Sequence, residues 1–213
     1  MTIFALNLFL YKIRYNMKKA LLIFAGLLVT ALSFAAVAPE DDPKYGKGAV
    51  PVDENGSVYF ERSLPVPQGM TDDQCYDLLI KWSKGHFVSP YVHASRVLNE
   101  DASSRRFIFH MDQIIVFKRT GLVLDQSNVE YNYSVAIKNG QITLRITDIK
   151  YRYEEHREGG GQRFTAEEWI TDKEAYNRKG TKFLKSTGKF RIKTIDMKDK
   201  LFLETIDAVI DNL

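Results

Sequence analysis

Residues 129–153 constrain the fold of this chain most. Tyr131, Tyr133, Val135 and Ile137 fall on every second position, Asn139-Gly140 follows, and Ile142, Leu144 and Ile146 resume the alternation. Side chains alternate across a strand, so a period of two writes one apolar face on each of two strands. Asn and Gly both tolerate the positive φ of a two-residue type I′ turn, which makes 139–140 a hairpin turn. The phase then flips, because Ile149, Tyr151 and Tyr153 occupy the other set of positions. One face stays buried across such a flip only if the strand gains a residue, so a bulge or bend is expected near Thr147-Asp148.

Other elements follow from similar signals. Residues 57–64 alternate, with Val58, Phe60 and Leu64 in one phase, and Pro65 through Gly69 end the strand. Residues 71–84 form the first expected helix. Thr71 and Gln74 make a capping box, Asp72 and Asp73 suit the positive helix end, and Met70 can staple to Cys75. Cys75, Leu78, Leu79 and Trp82 give this helix its apolar stripe, and Gly85 is its expected stop. Strands are expected over 91–99 and 105–117, the second interrupted near Asp112-Gln113. The stretch 154–193 has no sustained period, and Gly159-Gly160-Gly161 breaks it. Thr165 and Glu168 form a second capping box, which predicts a short helix over 165–176. A final helix is expected over 196–213, with Phe202, Ile206, Val209, Ile210 and Leu213 as its stripe.

The order β-α-β-β-β-β-α predicts an α+β fold of two layers, a curved antiparallel sheet with two helices packed on one face. The hairpin's opposite phase carries Asn132, Ser134, Ala136, Thr143, Arg145 and Thr147. That face is polar, so it is solvated or makes a polar contact.

The N-terminal stretch concerns destination rather than fold. Lys18-Lys19 precede the apolar run 20–35, and the first acids are Glu40, Asp41 and Asp42. A basic start, an apolar middle and small residues at Ser33 and Ala35 read as a secretory signal, with cleavage expected after Ala35. Met17 begins that signal, so 1–16 read as an upstream extension. The run is short for a bilayer span, and no cysteine closes it as a lipoprotein would require. The expected organisation is extension and signal over 1–35, a flexible acidic linker over 36–56, and one domain over 57–213 with a loop excursion at 154–193. The expected location is the periplasm or the cell exterior, with no membrane span after signal removal.

Charge and composition restrict function. The chain has 30 Lys+Arg and 27 Asp+Glu. Lys12, Arg14, Lys18 and Lys19 lie in the leader, where there is no acid, which leaves 26 against 27. The basic balance therefore belongs to the leader, and the chain gives no support for a nucleic-acid partner. The single cysteine, Cys75, can form no intramolecular disulfide and reads as a small core residue. His86, His93, His110 and His156 show no metal-ligand spacing, although His93 and His110 fall on neighbouring strands. No cofactor or metal is expected, and no catalytic residue is assigned. Phe164, Trp169 and Tyr176 in the excursion either form a partner-binding surface or fold back as a satellite core. With Arg145 on the polar sheet face, they are the candidate contacts for an envelope protein or polar ligand. The alternative is a hydrolase that uses the acidic residues Glu154, Glu155, Glu167 and Glu168 with His156.

The leader with its acidic segment, the stretch Val66-Pro67-Gln68-Gly69-Met70-Thr71 with its helix through Lys81-Trp82, and the hairpin 133–151 together resemble a known group. They are similar to an exported family of unknown function from Bacteroides-type bacteria with a TATA-box-binding-protein-like fold. The hairpin departs from the family pattern at 141–145. The resemblance implies the fold and an envelope location. It carries no catalytic residues, and it implies the shape of the TATA-box-binding protein but not DNA binding.

Overall fold

A computed structural model describes residues 37–88, 92–155 and 158–211. The leader and its cleavage position lie outside the described residues. The stretch Ala38–Leu213 forms a compact unit by itself. Its elements are β1 (Phe60–Pro65), α1 (Asp72–His86), β2 (Val92–Asp101), β3 (Arg106–Arg119), β4 (Leu124–Lys138), β5 (Gln141–Tyr153), β6 (Gln162–Thr165), α2 (Ala166–Trp169), α3 (Asp172–Ala175) and α4 (Lys185–Ile210). The six strands make one antiparallel sheet in the order β1-β5-β4-β3-β2. Strand β6 shares the outer edge of β5 with β1, pairing at 150–153 while β1 pairs at 141–146.

The hairpin turn forms where expected, with φ of 54° at Asn139 and 72° at Gly140. The bulge also forms. Glu130 pairs with Lys150 and Asn132 with Thr147, so β5 carries one residue more than β4 between these pairs. Asp148 takes the left-handed conformation, φ 56°, and is exposed, which returns Ile149 and Tyr151 to the buried face. The interruption expected in β3 lies instead in its neighbour: β3 is continuous, and β2 shifts register between Val92 and Ala94 opposite Gln113 and Asp112.

Helix α1 begins as expected, since Thr71 Oγ1 accepts from Gln74 N at 3.2 Å and Gln74 Oε1 accepts from Thr71 N at 2.9 Å. It does not stop at Gly85. His86 stacks on Trp82 at 4.5 Å and Phe87 enters the core, so packing carries the helix one residue past the glycine. The greater departure is α4, which starts at Lys185 rather than Asp196. Its first turns are buried mostly through small or polar residues, Thr187, Gly188, Arg191 and Thr194, with Phe190 and Ile195 as the apolar residues among them. A Cβ on Gly188 would lie 2.6 Å from Phe183 Cβ, so the helix approaches that ring only as glycine.

Helices α1 and α4 cover one face of the sheet. Phe107, Tyr133 and Leu144 are all 0% exposed there. The hydroxyls of Tyr133 and Tyr151 share hydrogen bonds with Thr205 and Thr194 of α4 at 2.8 and 2.6 Å, which satisfies the buried polar groups and fixes the helix along the sheet. Arg191, 0% exposed, ties down two further segments. Its Nε donates to Tyr45 O at 2.8 Å, one terminal nitrogen donates to Ile170 O at 2.8 Å, and the other donates to Gly46 O and to Asp172 Oδ1. The part of the expected flexible linker that is described, 37–56, therefore packs: Val50 is 5% exposed and Val52 bridges to Val58. The physical reason is that the carbonyls of Tyr45 and Gly46 bind Arg191 while Val50, with Tyr45 and Ala49, joins the core without a periodic apolar pattern.

Candidate functional site

The sheet face turned away from α1 and α4 carries the second set of side chains from the same strands. Glu61 of β1 lies directly opposite Arg145 of β5 and pairs with it at 3.1 Å. The Arg145 guanidinium also lies over the Tyr59 ring, 4.6 Å from its centroid. Further across, Asp112 of β3 opposes Glu130 of β4, two like charges that would repel alone. Arg152 of β5 separates them, reaching Asp112 Oδ2 at 2.6 Å, Glu130 Oε1 at 2.8 Å and Glu155 Oε2 at 3.3 Å. Between these groups His110 Nδ1 contacts Asn132 Oδ1 at 3.1 Å, and Asn132 Nδ2 donates to Asp148 Oδ2 at 3.5 Å. Asp148 also binds Lys150 at 2.8 Å, which raises the lysine pKa above its ordinary value.

The result is a half-buried lattice of both charge signs that spans four strands. One carboxylate oxygen within it, Asp112 Oδ1, is buried and has no hydrogen-bond partner. An open recess of about 630 Å³ adjoins the lattice and is lined by Gln126, Asn128, Arg152 and Glu155, among others. Chemically, this surface can exchange charged hydrogen bonds with a polar partner.

Of the expected contact residues, Arg145 lies on this face and the three aromatics do not. Phe164 and Trp169 are half-buried and stacked at 4.1 Å, and both meet the Phe190 ring. Tyr176 is 7% exposed and packs on Phe183 at 4.8 Å. The exposed reading of these rings is therefore corrected to the satellite core. The cause is the early start of α4, which brings Phe190 under Phe164 and Trp169.

Three of the acidic residues named for hydrolysis have structural partners. Glu155 binds Arg152 and accepts from Asn128, Glu167 Oε1 accepts from Val58 N at 2.6 Å, and Glu168 completes the cap at Thr165. His156 lies outside the described residues. His93 occupies the shifted position of β2, and His110 faces Arg96 rather than His93. Cys75 is fully buried, and burial, aided by Asp72, pushes its thiol up to about 11, which keeps it protonated at neutral pH. Among the described residues, no group of three His, Cys, Asp or Glu is placed to hold a metal ion. Nor is any helix among them long and apolar enough to cross a membrane.

Sequence reasoning missed Arg152 and Arg191. Each collects partners from segments distant in the chain, and no local pattern marks either one.

The geometry has relatives. A TBP-like protein from Parabacteroides distasonis shares the fold, with a TM-score of 0.60 at 18% identity over 75% of this chain and 96% of its own. No curated protein matches this chain. The model of a domain of unknown function with TBP-like fold, DUF4468, matches residues 60–152. A crystallised DUF4468 family protein from Bacteroides ovatus aligns at 32% identity and a TM-score of 0.71, over 79% of this chain and 95% of its own. This chain, an open six-stranded antiparallel sheet with its helices packed on one face, belongs to the DUF4468 family with TBP-like fold.

Proposed function

We propose that this protein is an exported, non-catalytic binding domain that holds an envelope protein on the uncovered sheet face, around Arg145. The observation that carries this reading is the asymmetry of the sheet. One face is closed by two helices, while the other presents a lattice of charged pairs that no helix or strand among the described residues covers. Charged groups of both signs at fixed spacing give specificity and register to a complementary surface. The balance of signs disfavours a polyanion such as nucleic acid. Export rests on the leader pattern of residues 18–35.

The test uses the chain from Ala38 as bait in envelope extract. Wild type should retain a partner that Arg145→Glu loses. Because that change sets two acids opposite each other, the swapped pair Glu61→Arg with Arg145→Glu serves as the second variant. It restores the ion pair with its charges exchanged and should still fail to bind. Equal retention by all three proteins, or no partner from a folded wild type, would reject the reading.

A further inference from the structure

The turn between β3 and β4 is unlike the polar Asn139-Gly140 turn between β4 and β5. Its tip is Gly121-Leu122-Val123, followed by Leu124 at the start of β4. Leu122 is 99% exposed, Val123 48% and Leu124 52%. The turn is closed, since Thr120 N donates to Val123 O at 2.8 Å and Val123 N donates to Thr120 Oγ1 at 3.1 Å. Leu122 therefore stands out on an ordered turn.

Three consecutive exposed apolar residues gain nothing in water, and such a run marks a contact. The base of the tip is cationic. Lys118 and Arg119 are exposed, and they pair in register with Asp125 and Leu124. Asp125, the acid nearest by register, is taken up by Lys189 at 2.8 Å and by the Tyr153 hydroxyl at 2.8 Å. Glu155, across the recess beside Val123, is held by Arg152. The two cations at the base of the tip are thus exposed, and Asp125, the acid nearest them by register, is engaged elsewhere.

We infer that the β3–β4 tip is a membrane-docking finger. Leu122, Val123 and Leu124 enter the acyl boundary of an anionic bilayer, and Lys118 and Arg119 meet its headgroups. Two features favour a bilayer over a protein. A protein interface needs about 800 Å² from each partner in a complementary shape, and a convex tip of three side chains does not supply it. A bilayer accepts an apolar finger of any shape and attracts cations at its base. The inference is independent of the proposed function of the uncovered sheet face.

The test is vesicle sedimentation with the chain from Ala38. That chain spans the compact unit, and a crystallised relative aligns with 79% of the full chain. Wild type should sediment with equimolar phosphatidylglycerol and phosphatidylcholine, and much less with phosphatidylcholine alone or in high salt. Leu122→Asp should weaken binding by at least about tenfold. Lys118→Gln and Arg119→Gln should each weaken it by about fivefold on the anionic vesicles. Leu122→Trp keeps the tip apolar and should bind at least as well as wild type. Residues 118, 119 and 122 are all exposed, so all four variants should melt as wild type does. Sedimentation unchanged by Leu122→Asp would overturn the inference. So would a wild type that ignores anionic vesicles, including one that instead self-associates through the tip.

Discussion

On the face toward α1 and α4, β3, β4 and β5 present Phe107, Tyr133 and Leu144, each 0% exposed; one position further along, the same strands present Ile108, Ser134 and Arg145, each half-buried. The period of two thus divides one sheet into a surface that makes the fold and a surface that the fold leaves open. Burying a large apolar side chain contributes about 1.5–3 kcal/mol, whereas an exposed ion pair contributes about 0–1 kcal/mol. Changes on the covered side should therefore be felt in stability, and changes on the open side in what the protein holds.

The largest expected effect is at Arg191. Arg191→Leu strands three carbonyls, of Tyr45, Gly46 and Ile170, that are now satisfied by one buried cation. Each buried carbonyl left without a donor costs about 1–3 kcal/mol. Thermal melting should show a fall of roughly 10 °C. Leu144→Ala on the covered face comes next, at about 2–5 kcal/mol in urea unfolding. A cost under about 1 kcal/mol would mean that the helices do not close over that face as described.

A smaller effect should appear in acid. Burial pulls the Asp196 carboxyl up, but hydrogen bonds from Lys44 and Tyr45 outweigh it and hold it below the ordinary carboxylate value. A lowered folded-state pKa contributes stability above the unfolded value of about 4, and that stability is lost as pH falls through the folded value. Melting temperature should therefore drop as the pH is lowered below about 4, and Asp196→Asn should flatten part of that drop. Asp101, which Ser103 and Ser104 hydrogen-bond and hold down to about 2, should act in the same direction. The smallest stability effect belongs to the open face. Arg145→Ala should cost under about 1 kcal/mol while abolishing partner retention, because its ion pair is exposed.

The same division explains what was legible in the sequence. The hairpin, its turn and its bulge were readable because Tyr131 through Tyr151 express their burial as a period, and Asn139-Gly140 states the turn. Both capping boxes were readable because Thr71 with Gln74, and Thr165 with Glu168, act within one helical turn. The first half of α4 was not. Gly188 is there for close approach to Phe183, and Arg191 is buried by carbonyls from residues 45, 46 and 170, so no apolar period marks that stretch. Placing Phe164, Trp169 and Tyr176 required that helix, and so the sequence left their burial and their exposure equally open. On the open face, Arg145 could be assigned by phase alone. The lattice around Arg152 could not, because Asp112 and Glu130 reach it only once β3, β4 and β5 are in register.

The most direct test of the central claim is photocrosslinking from two positions in otherwise unchanged protein. A photoreactive residue would replace Thr143, which lies beside Arg145 on the open face, or Leu203, which is 50% exposed on α4. Irradiation in envelope extract should give a discrete protein adduct from position 143 and none from position 203. An adduct from position 203 alone, or none from position 143 in a folded protein, would contradict the assignment of binding to the uncovered sheet face.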